Sequence, residues 1–126
     1  PGFVSVTGRS TLAFPDYDGN RMYRSLGNIL NNPNVGLLFV RFDGVSTRLR
    51  VNGLAEIIDS PEAIAGIPGA KRLIRVTARD IFPNCPRYVP AMEGAKPSIY
   101  APKAGYTPPE PEWKSRDYIK DLIEES

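Results

Sequence analysis

Short apolar runs alternate along this chain with one amphipathic segment. Residues 3–7 (FVSVT) and 11–14 (TLAF) flank Gly8-Arg9-Ser10, a joint too short for anything but a hairpin turn, so two antiparallel strands are expected. Asp16, Asp18 and Gly19 supply turn chemistry, and Asn20 is the expected N-cap of a helix. Met22, Leu26, Ile29 and Leu30 then fall at i, i+4, i+7 and i+8, one apolar helical stripe. Pro33 ends that pattern, and residues 35–42 (VGLLFVRF) are apolar on both faces, as in a strand covered on both sides. After an Asp43-Gly44 turn, residues 47–58 alternate: Leu49 and Val51 take one face, Arg48, Arg50 and Asn52 the other, with Gly53 at a bulge or bend. Ser60 and Pro61 suit the N-cap and first position of a short helix that Gly66 and Pro68-Gly69 stop, and residues 72–78 (RLIRVTA) form a further strand.

Beyond residue 82 the character changes. Eight of the 29 residues from 83 to 111 are proline, a density that breaks regular pairing, while Tyr88, Met92, Ile99, Tyr100 and Tyr106 supply apolar anchors. The expectation is a tract ordered by docking. Ser115 can cap a closing helix over 116–124 that docks through Tyr118, Ile119 and Leu122. At 126 residues the chain makes one domain, read as a core over 1–82 and a wrapping tail with a C-terminal helix over 83–126.

Composition removes several function classes. A net charge of +2 is far from the basic balance of a chain built to neutralise a nucleic-acid backbone. With no histidine, imidazole metal sites and Ser-His or Cys-His nucleophiles are out; the single cysteine, Cys85, builds neither a disulfide nor a thiolate zinc site. Its expected fate is small, buried and inert. No apolar run reaches the roughly 18 residues of a membrane span and no charged-then-apolar leader is present, so a cytoplasmic location is expected. Chemistry must come from a bound cofactor or be absent, and no catalytic side chain can be named.

The candidate chemistry sits on the polar face of the first helix. Arg21, Arg24, Ser25 and Asn28 place two guanidinium groups, a hydroxyl and an amide beside a helix start, where free N–H groups and the dipole favour an anion. The competing reading is a solvated helix face. Arg48 and Arg50 form either an exposed outer strand face or a polar wall for a ligand. Arg87, between two prolines, suits a carboxylate, a phosphate or an aromatic face, and Trp113 is an anchor for the tail.

The order VSVTGRSTLAFPD, then NRMYRSLGNILNNPNVGLLF, then TRLRVNGLAEI resembles the pyridoxamine 5′-phosphate oxidase-like family of split β-barrel flavoproteins, well over about residues 2–58; the later NCPRY and PEWK segments look like those of one uncharacterised branch. The resemblance implies a mainly β, α+β fold: a split β-barrel with about three helices, working as a homodimer with FMN between the subunits. It places the FMN phosphate at Arg21, Arg24, Ser25 and Asn28, and the flavin ring or ribityl chain at Arg48 and Arg50. Arg87 and Trp113 are expected to help close the site. Ser25 falls where the oxidase has a lysine, so Arg21 is the expected replacement charge. Family members carry a strand hairpin upstream, so the sequence is expected to be a piece of the working polypeptide. The implied function is an FMN-dependent oxidoreductase acting on an unspecified small molecule. The alternatives are a flavin carrier or sensor without catalysis, a small barrel for single-stranded nucleic acid, or a barrel holding haem or a deazaflavin.

Overall fold

The computed structural model describes residues 2–43, 45–87, 89–94 and 98–116. Five strands, β1 (Ser5–Val6), β2 (Thr11–Tyr17), β3 (Asn34–Arg41), β4 (Thr47–Ile58) and β5 (Ala70–Asn84), form one antiparallel sheet in the order β1-β2-β5-β4-β3. Among the described residues the sheet does not close into the expected barrel: β1 and β3 are its edges. Helix α1 (Arg24–Asn31) joins β2 to β3 and α2 (Pro61–Ile64) joins β4 to β5. No helix among the described residues is long and apolar enough to cross a membrane.

Strand alternation decides where the core lies. Leu12, Val51, Ala55, Ile74 and Val76 are buried on one face, with Phe14, Val35, Leu37 and Phe39 beside them, and Leu26 and Ile29 of α1 pack onto that cluster. The register does shift between Asn52 and Gly53, but the extra residue is on the partner strand: Asn52 pairs with Asp80 and Gly53 with Ala78, which leaves Arg79 of β5 as the bulged residue. A Cβ on Gly53 would lie 2.2 Å from the carbonyl oxygen of Thr77, so only glycine lets β4 approach β5 here.

Other expectations also change. Asn20 is not the N-cap: its Oδ1 accepts from the Met22 N–H at 3.1 Å in a local turn, and the helix begins one residue past Tyr23, whose φ of 48° is left-handed. The apolar stripe accordingly shortens to Leu26 and Ile29, while Met22 (62% exposed) and Leu30 (77%) face water. Residues 35–42 are not covered on both sides: Val35, Leu37 and Phe39 face the core, while Leu38 on the opposite face is 47% exposed. Finally, β5 runs through Pro83 to Asn84, past the irregular boundary expected at 83. Proline is tolerated there because β2 pairs β5 only as far as Thr77, which leaves β5 with a neighbour on one side. Ser60 does cap α2, accepting from the Ala63 N–H at 3.3 Å.

The tail docks at both ends of the sheet. Near the β3–β4 turn, the Met92 N–H donates to the Phe42 carbonyl at 2.7 Å and the Ser46 hydroxyl to the Val89 carbonyl at 3.2 Å. At the opposite end Pro102 lies so close to Gly69, which has φ of 75°, that a Cβ there would sit 2.5 Å from it. Glu112–Ser115 is a 3-10 turn, and Arg116 after it is extended. The expected helix does not start at 116; its remainder, with Tyr118, Ile119 and Leu122, lies outside the described residues, as does Tyr88.

Candidate functional site

Between α1 and the core face of the sheet lies an open cavity of about 750 Å³. Phe14, Ala55, Ile74 and Val76 give it an apolar floor; Asn20, Arg21, Arg24, Ser25 and Asn28 line its polar side. All four residues of the expected anion seat therefore share one space. The loop that leads into α1 turns sharply, with Arg21 (φ 57°) and Tyr23 (φ 48°) both left-handed, a conformation that L-residues adopt only when their surroundings hold them. A left-handed residue followed by a right-handed one, Tyr23 then Arg24, also turns successive backbone N–H groups toward a common point, a concavity suited to an anion.

Two cations from outside the expected site hold that loop. Arg72 of β5 lies 3.4 Å from the Asp16 carboxylate and 3.6 Å from that of Asp59, with its guanidinium 5.1 Å from the centre of the Tyr23 ring. Hydrogen bonding to Tyr23, then the charges nearby, holds Arg72 above its ordinary pKa. Lys114, from the tail, donates to the Asp18 carboxylate and lies 3.4 Å from that of Glu110; the bond to Asp18 is the main reason its pKa is also raised. The carboxylates flanking the cavity are thus matched by cations from distant elements. Arg24 forms no ion pair with any carboxylate among the described residues and stands exposed at the cavity.

A family model described as pyridoxamine 5′-phosphate oxidase matches residues 1–88. The chain belongs to the pyridoxamine 5′-phosphate oxidase family. Two solved structures of HupZ from Group A Streptococcus are similar to it. A histidine-to-alanine variant has a TM-score of 0.52 at 19% identity, covering 65% of this chain and 73% of that one. The second HupZ structure has a TM-score of 0.49 at 19% identity, covering 64% and 68%. The first likeness bears on the fold alone. No curated protein matches this chain.

Within this family member, the other expected site residues are dispersed. Arg48 and Arg50 alternate away from Val51 and so occupy the outer face of β4, not the α1 cavity. Arg48 Nη2 donates to the Cys85 carbonyl, and Arg50 Nε to Asn84 Oδ1 at 3.4 Å. Arg48 Nε is buried with no hydrogen-bond acceptor among the described residues. Arg87 is exposed in a turn closed by the Val89 N–H on the Pro86 carbonyl at 2.9 Å, and Trp113 is half-buried in the 3-10 turn. Cys85 is exposed, not buried as expected, because the chain has left the sheet one residue earlier and the core lies elsewhere. No local pattern marks Lys114 or Arg72; the Lys114–Asp18 contact joins residues 96 apart in sequence.

Proposed function

We propose that this chain binds FMN, with the phosphate at Arg24, Ser25 and Asn28 and the N-terminus of α1, and that Arg21 adds charge to the same seat. The observation that carries the reading is Arg24: a guanidinium at a cavity whose flanking carboxylates, Asp16 and Asp18, already have other cations. A phosphate adds hydrogen-bond acceptors and negative charge at that point, where the helix dipole favours both.

The cavity also supports a ligand longer than an anion. Its lining continues to Asn34 and Gly36 at the β3 edge, and Gly36 pairs with Asn52, two residues along β4 from Arg50. Glycine at position 36 leaves room for the Asn52 amide, whose Oδ1 would lie 3.3 Å from a Cβ there. Arg48 and Arg50 share the outer face with the exposed Leu38 and Leu54. Apolar side chains left in water beside charged ones suit an interface, and the reading therefore has a homodimer of split β-barrels with the flavin between the subunits. A ligand carbonyl near Arg48 would also give its buried Nε an acceptor after a small shift.

Bound flavin would supply two-electron or hydride chemistry; the protein supplies binding, orientation and electrostatics, as an FMN-dependent oxidoreductase of unspecified substrate. The test is spectroscopic. Purified protein mixed with FMN should retain flavin absorbance through gel filtration and elute as a dimer, and the reduced flavin should be reoxidised faster by some organic acceptor than by oxygen alone. Reoxidation by oxygen only would leave a flavin carrier, and loss of all flavin on the column would remove the cofactor from the reading.

A further inference from the structure

Lys114 is the most enclosed charged side chain in the ion pairs around the cavity: it is 8% exposed, against 45% for its partner Asp18. Burying an ammonium costs solvation that only close carboxylates restore, and Lys114 has two, Asp18 and Glu110. The ring of Trp113 lies 5.9 Å from the same ammonium. Asp18 belongs to neither strand nor helix; it opens the loop of residues 18–23, where Arg21 and Tyr23 are left-handed and Asn20 bonds to Met22. Six residues in such backbone geometry do not hold themselves. Arg72 secures the far end of the loop at Tyr23, and Lys114 secures the near end at Asp18.

We propose that Lys114 is a positioning residue for the anion seat: the tail, clamped at Asp18, holds the loop so that Arg21 and Arg24 line one cavity. The proposal rests on the FMN reading for the identity of the anion and on the Asp18 contact for the mechanism. Lys114 itself does not line the cavity, so its effect must pass through the loop. Removing it should loosen residues 19–24 and weaken a phosphate-bearing ligand more than one that lacks the phosphate. A contact that merely stabilised the fold would weaken both alike.

The experiment uses the full chain in four forms: wild type, Lys114→Met, Asp18→Asn and the exchanged pair Lys114→Asp with Asp18→Lys. Hydrogen exchange is followed at amides 19–24 without ligand, and FMN and riboflavin affinities are measured by fluorescence titration. Both single variants should exchange faster over 19–24 and bind FMN roughly three- to tenfold more weakly, as for loss of a charged hydrogen bond acting at one remove, with riboflavin little changed. The exchanged pair should recover at least part of both effects. Unaltered exchange in Lys114→Met would overturn the proposal, and so would faster exchange with equal losses, or none, for the two flavins. If wild type binds neither flavin, the FMN reading fails, and the exchange comparison still decides whether Lys114 holds the loop.

Discussion

Both ends of the sheet carry a pair of arginines, and the chain treats the two pairs differently. At the β3–β4 turn, Arg48 and Arg50 rise from a regular strand and are engaged by the tail just as it leaves β5, through the Cys85 carbonyl and the Asn84 amide oxygen. At the α1 end, Arg21 and Arg24 stand on an irregular loop and the first helical residue, and Lys114 of the tail engages the acid beside them, Asp18. One end engages its guanidinium groups with a backbone carbonyl and a side-chain amide oxygen; the other uses a lysine to neutralise a carboxylate and leaves Arg24 without an ion-pair partner among the described residues. The contrast shows that counting cations along a sequence does not locate an anion site. What matters is which cations the fold has already matched.

The bulge lies between the two ends, and breaking it should have the largest effect. Gly53→Ala forces a Cβ against the Thr77 carbonyl, and a loss of about 3 kcal/mol of stability is expected from such overpacking against backbone, read as a lower urea midpoint. An unchanged midpoint would mean that β4 and β5 can separate at the bulge, and the faces assigned to Arg48 and Arg24 would need revision.

The comparison itself is tested by paired arginine variants. Arg24→Ala should weaken FMN by about 1.5–3 kcal/mol while riboflavin hardly responds, the range for a hydrogen bond to a charged group. Arg48→Ala should affect both ligands alike, since the proposed phosphate seat is at the other end. Equal losses in Arg24→Ala would assign that residue to the fold.

Removing the shared element should blur both ends less severely. Truncation from residue 95 deletes the Asp18 contact but keeps those of residues 85–92, so a soluble sheet domain with weaker self-association and a flavin more open to iodide quenching is expected. Sedimentation and quenching on one sample provide the measurement. Identical mass and quenching would make residues 98–116 a passive appendage and withdraw Trp113 from the site. The smallest effect belongs to Cys85→Ser: the thiol is exposed and Arg48 uses the backbone carbonyl, so flavin content should be unaltered and stability should move by less than about 0.5 kcal/mol. A folded, flavin-loaded variant without turnover would give that thiol a chemical role.

Several features of the fold were legible before any coordinates. Residues 47–58 are a strand to the residue, Gly53 marks where its register with β5 shifts, Ser60 and Pro61 begin α2, and Gly8-Arg9-Ser10 turns a hairpin. These depend on period-two alternation and on backbone chemistry confined to a few neighbours, which a sequence carries locally. The shared position of Arg21, Arg24, Ser25 and Asn28 was legible for the same reason, since a loop and the helix turn that follows it keep near residues near.

Where that locality ends, tertiary structure decided the outcome. An Asx turn and left-handed Tyr23 displaced the helix start from Asn20, because Arg72, about fifty residues away in the chain, braces the Tyr23 ring. Which face of β3 is exposed followed from the side of the sheet on which the core and α1 pack, which a run of apolar residues does not encode. The sequence by itself determined which residues alternate, turn and cap, and the family motif over its first two thirds. Only the tertiary structure decided that Asp16 and Asp18 are answered by Arg72 and Lys114, and that Arg48 lies on the outer face bonded to Cys85. Charge pairing depends on distance in space, and these partners are brought together by strand order and by a tail that crosses the length of the sheet.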